Sequence, residues 1–359
     1  MDAGDADFDA DSGVAGIDVA GIDVVAVAAW FAANVPEHPP PLQFTRIAGG
    51  HSNLTFAVVD GDGDRCVLRR PPLGHRLASA HDVLREHRVM GALAATDVPV
   101  PLMLGACADE TVNGAPFYVM SYIDGAVLHD RADVPGALAD TDARRRAGEQ
   151  VVDVLAALHA VEPDAVGLGE LARRTGYLER QLKRWSGQWT ASKTRELPAM
   201  ERLHEWLVTN RPTDGPGGIV HGDYRLGNMI IGPDGTVRAI LDWELCTLGD
   251  PLADLSYLLR TWTAPDEPTV TASFEPPTRA GGFRTRDELV DRYVQRTGRA
   301  IGDLDYYLAF NAWRSAAISE GVYRRYIDGS LGAPPPDVER YARSVEQSAA
   351  DGLTAAGLG

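Results

Sequence analysis

The chain has 359 residues and a formal charge of −17, of which the seven Asp of residues 1–23 carry −7 and leave −10 on the rest. That sign argues against a nucleic-acid partner and is compatible with a cationic ligand, although plain solubility accounts for it as well. The length allows two lobes or domains. The apolar run starting at Val24 is far short of the roughly 20 residues of a membrane span, and the acidic start MDAGDADFDADSG is unlike a secretory or transit peptide, so a cytoplasmic protein without a membrane partner is expected.

In chain order, residues 1–17 read as an acidic disordered tail. Residues 18–34 follow as a helix on Val25, Ala28, Ala29 and Ala32, ended by Pro36. Residues 44–47 and 54–59 read as strands flanking the turn Gly49-Gly50-His51-Ser52-Asn53, and residues 66–70 as the next strand. Side chains two apart share a strand face, so Arg69 projects with Val67 while Arg70 points outward. A helix over residues 79–94 carries Glu86 on its apolar stripe, and a carboxylate there needs a buried cation. Residues 116–120 make a further strand that runs on through Ser121 and Tyr122.

From Gly125 onward the periodicity is helical: residues 142–159, 171–189, 198–208, 287–296, 303–326 and 336–349. A Pro-rich loop with Pro265, Pro268, Pro276 and Pro277 is long enough to be a lid. Cys66, Cys107 and Cys246 are far apart and form no C-x-x-C pair, so each reads as a small buried apolar residue.

The helical pattern is interrupted between residues 219 and 259 by HGDYRLGNMIIGPDGTVRAILDWE. Residues 229–231 and 236–241 are apolar, β-branched runs separated by Gly-Pro-Asp-Gly, the signature of a β-hairpin. A hairpin about Pro233 and Asp234 brings Asp223, Asn228 and Asp242 to one edge. Asp242 then stands three residues, roughly 10 Å, beyond the partner of Asn228. Two carboxylates and an amide suit a hard cation such as Mg²⁺, and one of the three could instead accept a proton from a hydroxyl.

His221-x-Asp223, Asn228 five residues on, and Asp242 after a hairpin resemble the catalytic loop and metal-binding Asp of the protein-kinase-like fold. More closely, HGDYRLGN, LDWE and LGDPLADL resemble the aminoglycoside phosphotransferase and choline kinase-like family. Together with YLERQLKRW they are similar to the kinase-like domain of some long acyl-CoA dehydrogenase proteins. The resemblance runs from about Phe44 to the last helices. It implies an α+β, two-lobe protein-kinase-like fold: a small antiparallel-sheet N-lobe within residues 18–122, and a larger, mostly helical C-lobe over residues 123–359 holding the catalytic hairpin and the acceptor site.

It also implies an ATP- and Mg²⁺-dependent phosphotransferase acting on the hydroxyl of a small molecule. Asp223 would be the base or orienter of that hydroxyl, Asn228 and Asp242 the metal ligands, and His221 a support for the loop. The glycine turn, with Ser52 and Asn53, would lie over the phosphates, and the hinge around Met120 and Tyr122 would read adenine. Kinase-like enzymes keep a Lys on the strand of residues 66–70, paired with a helical Glu. The only two lysines here, Lys183 and Lys193, come too late, so either Arg69 takes that place, with Glu86 as its partner, or nothing does.

Gly222 and Trp243-Glu244 depart from the protein-kinase pattern, which disfavours a phosphate switch and a protein substrate. Asp250 and Pro251 look like the cap and first turn of a helix on which Asp254 hydrogen-bonds back to the catalytic loop. Ala264-Pro265-Asp266-Glu267 reads as a chance likeness to the Ala-Pro-Glu marker. The acceptor pocket is sought among Tyr177, Trp185 and Trp189 and among Tyr306, Tyr307, Trp313, Tyr323 and Tyr326, which otherwise are core. Arg180, Arg184, Arg324 and Arg325 lie among them and could meet an anionic acceptor or form a solvated face. Two rival readings stay open: a non-catalytic nucleotide-binding module, and a kinase of hydroxyacyl compounds rather than of antibiotics. Oligomeric state is left open.

Overall fold

The structure, a computed structural model, describes residues 19–47, 53–73, 82–213, 215, 217–268, 275–331 and 334–359. The tail expected at residues 1–17 and most of the glycine turn, Ser52 included, lie outside them. The chain divides into two compact units. One runs up to Asp124 and takes in Ala239–Glu244, and the other holds Gly125–Arg238 and Leu245–Gly359. Residues 239–244, expected with the helical part, therefore cluster with the first unit.

The first unit is built on an antiparallel five-stranded sheet in the order β1-β2-β3-β5-β4, with β1 at Gln43–Arg46, β2 at Leu54–Val59, β3 at Arg65–Arg70, β4 at Met103–Cys107 and β5 at Phe117–Ser121. Helix α1 (Val24–Asn34) starts at Asp23, whose carboxylate accepts the Ala26 N–H. Its Val27 and Phe31 pack with Phe56, Val58, Cys66, Leu68, Phe117 and Val119 on one sheet face. That packing overturns the expectation that Arg70 faces solvent. It is 4% exposed, and its guanidinium donates to the carbonyls of Gly21 and Asn113 beneath α1. The alternation of Arg69 and Arg70 holds, but both faces of β3 are covered.

Helix α2 (Val83–Leu93) is shorter than expected and capped by Asp82; residues 79–81 lie outside the described set. Sequence reading missed β4 and the one-turn α3 (Glu110–Asn113), because Met-Leu-Gly-Ala-Cys carries no β-branched residue to mark a strand.

The second unit is mostly helical: α4 (Val134–Ala137), α5 (Thr141–Ala160), α6 (Tyr177–Ser192), α7 (Pro198–Thr209), α8 (Leu252–Thr261), α9 (Arg286–Thr297), α10 (Leu304–Ile327) and α11 (Glu339–Ala355). Helix α10 runs through it with Phe310, Trp313, Ala316 and Ala317 buried, and packs on α6, α8 and α11. Helix α6 starts six residues later than expected, after a left-handed Gly176. Two small sheets interrupt the helices. Strands β6 (Gly218–Val220) and β9 (Thr247–Gly249) pair antiparallel, while β7 (Met229–Ile231) and β8 (Val237–Ile240) form the hairpin. Its turn closes through Gly232 N–H to Thr236 O at 2.8 Å, and the Asp234 carboxylate takes the Thr236 N–H. All three cysteines are buried and form no disulfide, and no described helix is long and apolar enough to cross a membrane.

Candidate active site

In the first unit, Arg69 stands between two carboxylates. Its Nε is 3.3 Å from Glu86 on α2 and its Nη2 is 3.0 Å from Asp242. Glu86 is 1% exposed, and it also accepts from the Asn53 amide at 2.8 Å and the Tyr118 hydroxyl at 3.4 Å. Burial pushes the Glu86 carboxyl up to about 7; Arg69 pulls it back, and the nearby charges of Asp242 and Glu244 add to the rise. Burial alone would weaken the Arg69 cation, but the surrounding acids hold it above its ordinary range.

Asp242 is the only described residue other than glycine with positive φ, at +63°. Such a backbone costs roughly 1–2 kcal/mol for most residues and less for Asp. Trp243, fully buried and donating to Ile240 O at 3.1 Å, pins the turn that imposes it. Asn53, expected near phosphates, is turned inward instead. It is 2% exposed and braces Glu86, because β2 begins immediately after it. Met120 lies within the sheet, opposite Val67 on β3, and Tyr122 lies past the end of β5 with the Arg65 guanidinium over its ring at 4.1 Å.

In the second unit, the loop after β6 carries Asp223 and Asn228. Asp254 on α8, wholly buried, accepts the His221 N–H at 2.7 Å and the Gly222 N–H at 2.8 Å, so the link from α8 to the loop is present. Gly222 sits at φ +86°, and a Cβ there would meet Leu245 O at 2.8 Å. Only glycine fits both demands. His221 Nδ1 accepts the Asp223 N–H at 3.2 Å. The Asn228 amide nitrogen donates to the Asp223 carboxylate at 2.7 Å and to its backbone carbonyl at 2.9 Å, which leaves the amide oxygen for another partner.

Burial pushes the Asp223 carboxyl up. The Arg225 guanidinium at 3.6 Å, the Tyr257 hydroxyl, His221 and the Asn228 amide together outweigh that and hold it below the usual carboxylate range. Sequence reading missed both Arg225 and Tyr257. Arg225 lies inside the quoted motif, and Tyr257 stands three residues after Asp254, on the same face of α8.

Arg225 and Tyr257 also line a cavity of about 650 Å³. Its walls include Leu128, Leu226, Leu308, Arg260, Arg286 and a row of serines from α10 and α11. Arg260 donates to Ser348 at 2.7 Å and lies 3.6 Å from Asp351, while Arg286 pairs with Glu267 at 2.9 Å. The aromatic clusters expected to form an acceptor pocket do not line it. Tyr177, Trp185, Trp189, Tyr306, Tyr307 and Trp313 are buried in the helical core, Tyr323 bonds Glu339, and Tyr326 packs on Tyr341. Arg180 binds local carbonyls, Arg184 stacks on Trp185, Arg324 pairs with Asp328 and Arg325 donates to Gly321 O.

Each taken in its own unit, the Asp242 carboxylate and the Asn228 amide oxygen are hard donors of the kind a hard cation takes. The buried Arg69 Nε faces the Glu86 carboxylate as an ion pair without hydrogen-bond geometry.

The chain was compared with known proteins. Residues 43–306 match the model of the phosphotransferase enzyme family. The acyl-CoA dehydrogenase family member 10 of Mus musculus is 36% identical over 292 residues, which is 80% of this chain and 27% of that protein. The chain spans well under half the length of the curated relatives it matches. A candidate aminoglycoside phosphotransferase from Ralstonia eutropha superposes with a TM-score of 0.79 at 35% identity, covering 94% of this chain and 98% of that one. An aminoglycoside phosphotransferase solved with AMP-PNP and hygromycin B shares the fold at a TM-score of 0.58 and 16% identity, covering 88% and 95%. The fold is thus α+β and protein-kinase-like, with a small antiparallel-sheet unit and a larger helical one, and the chain belongs to the phosphotransferase enzyme family.

Proposed function

We propose that the chain is a kinase that moves the γ-phosphoryl group of ATP, bound with Mg²⁺, to a hydroxyl of a small molecule. The observation that carries this reading is Asp223: a partly buried carboxylate, held ionised by four neighbours, on a loop anchored through Asp254 and bordering a cavity large enough for a small molecule. Asp223 is too acidic to be a strong base, so its work is to accept a hydrogen bond from the acceptor hydroxyl, align it, and take its proton late in the transfer. The Asn228 amide oxygen and the Asp242 carboxylate would hold the metal, and Arg69, kept charged by Glu86, would face phosphate oxygens. Bound Mg²⁺ would neutralise charge on the phosphates. The hinge near Tyr122 would meet the base through backbone groups. The neighbour solved with an ATP analogue and an aminoglycoside supports this assignment of ligand classes.

The cavity favours one acceptor class over another. Three arginines, Arg225, Arg260 and Arg286, line it beside apolar Leu128, Leu226 and Leu308, each with one carboxylate neighbour: Asp223, Asp351 and Glu267. Burial pulls the Arg260 cation below its ordinary range even with Asp351 near, so an incoming anion would relieve it. An anionic hydroxylated acceptor, such as a hydroxyacyl compound, fits that balance better than a polycationic aminoglycoside.

The test combines nucleotide binding, followed by the thermal shift with ATP and Mg²⁺, with nucleotide consumption over a panel of hydroxy acids, hydroxyacyl compounds and aminoglycosides. Asp223→Asn is expected to bind ATP as the unaltered chain does and to lose on the order of 10³-fold in rate. Phosphoryl transfer retained in that variant removes Asp223 from the mechanism. Binding without any transfer by the unaltered chain favours the non-catalytic module.

A further inference from the structure

We propose that Arg314 is a positioning residue for the reaction: from α10 it clamps the Gly222–Asp223 peptide against Asp254 and so sets the direction of the Asp223 side chain. This rests on the phosphotransferase reading above. Arg314 is 5% exposed and forms no ion pair with a described carboxylate. Its Nη2 donates to Gly222 O at 2.7 Å, its Nη1 lies 3.5 Å from Asn311 Oδ1, and its Nε is buried without a partner. A guanidinium so placed is costly unless its charge is answered by other means. Two aromatic faces answer it in part, Trp185 at 5.3 Å and Tyr257 at 5.4 Å.

The remaining compensation passes through the backbone. Asp254, a buried anion, takes the N–H of Gly222, and Arg314, a buried cation, takes the C=O of the same residue. The two charges thus grip one left-handed residue from opposite ends, where φ is +86° and no side chain fits. The gripped carbonyl belongs to the peptide bond that leads into Asp223, so rotation of that plane swings the Asp223 carboxylate. Misplacing a reacting group by about 1 Å costs on the order of 100-fold in rate. Arg314 has a second hold on the same carboxylate, since the Tyr257 ring lies beneath its guanidinium and the Tyr257 hydroxyl donates to Asp223. Asn311 keeps α10 fixed to α8 by donating to Ala253 O at 2.8 Å and Ser256 Oγ at 2.7 Å.

A merely structural arginine without a carboxylate should be replaceable by methionine with little harm, because its stem packs and its charge is a burden. The positioning role gives the opposite result. The full chain is compared with Arg314→Met and Arg314→Lys, reading ATP binding with Mg²⁺, kcat and KM for ATP hydrolysis with water as acceptor, and hydrogen exchange at the amides of residues 221–223. Arg314→Met is expected to keep its affinity and KM for ATP within about threefold, to lose roughly 30- to 300-fold in kcat, and to exchange those amides at least about tenfold faster. Arg314→Lys, which restores one charged donor, should recover most of the lost kcat.

The proposal is overturned if the Met variant turns over as the unaltered chain does, if kcat and ATP affinity fall together, or if Lys does no better than Met. Should the Met variant not fold, Arg314→Gln is read in its place on the same measures. An unaltered chain that binds ATP but never hydrolyses or transfers it defeats the phosphotransferase reading, whereas unchanged amide exchange in the variants defeats the clamp.

Discussion

Arg69 meets two carboxylates with different parts of one planar group, Nε toward Glu86 and Nη2 toward Asp242. A lysine offers a single point charge at the end of its chain, so the fork explains how an arginine can serve here. Glu86 is 1% exposed, and without a cation it would be a buried charge beside Asp242 and Glu244. Arg69→Met is therefore expected to cost about 3–5 kcal/mol, read from the midpoint of urea unfolding. Arg69→Lys should cost less stability but depress turnover, because one ammonium cannot reach both acids. A Met variant as stable as the unaltered chain would show that Glu86 needs no cation. Gly222→Ala forces a Cβ to within 2.8 Å of Leu245 O at a left-handed φ, and the expected result is a loss of about 2–4 kcal/mol together with most of the activity. Full activity in that variant would mean that the loop carrying Asp223 tolerates a different path.

Helices α5 and α9 are joined by one carboxylate. Asp153 accepts from Arg292 at 2.7 Å to both oxygens and from Arg296 at 2.8 and 2.9 Å. Burial raises the Asp153 carboxyl, but the two arginines outweigh it and hold it below the ordinary carboxylate value. A carboxyl lowered in the folded state contributes stability in full above its unfolded value near 3.9 and loses it as pH falls through the folded value. Asp153→Asn is thus expected to cost about 1–2 kcal/mol at pH 7, with the gap to the unaltered chain closing below about pH 4. A gap that stays constant down to pH 3 would trace the loss to packing instead.

That clamp was invisible in the sequence, as were β4, the late start of α6 and the lining of the cavity, because each depends on which distant residues meet. Legible in advance were features set by neighbours along the chain. Gly-Pro-Asp-Gly closes its hairpin through Asp234, the carboxylate of Asp250 accepts the Leu252 N–H at the start of α8, and Asp254 returns to His221 and Gly222. Arg70 marks the boundary between the two: alternation placed it on the correct face of β3, but only the long-range packing of α1 decided that this face is buried.

For the molecule as a whole, net charge and local charge point to different ligands. The chain carries −17, which at long range draws cations, whereas three arginines line the cavity beside Asp223, each with one carboxylate neighbour and with Arg260 pulled below its ordinary range by burial. Screening separates the two effects, since the Debye length is about 10 Å at 0.1 M salt and about 3 Å at 1 M. Attraction of an aminoglycoside by the overall field should fade across that range, while an anion held against half-buried Arg260 is screened less. Affinities for kanamycin and for a hydroxy acid, measured at 0.02 and 0.5 M salt, are therefore expected to diverge. Kanamycin should lose at least about tenfold and the hydroxy acid only a few-fold. Arg260→Met should then weaken the hydroxy acid by about tenfold or more and leave kanamycin unchanged, because the lost partner is a charged hydrogen-bond donor inside the cavity. If kanamycin binding resists salt and the Arg260 variant leaves the hydroxy acid untouched, the cavity's arginines serve only their own carboxylates, and the acceptor must be sought among cations.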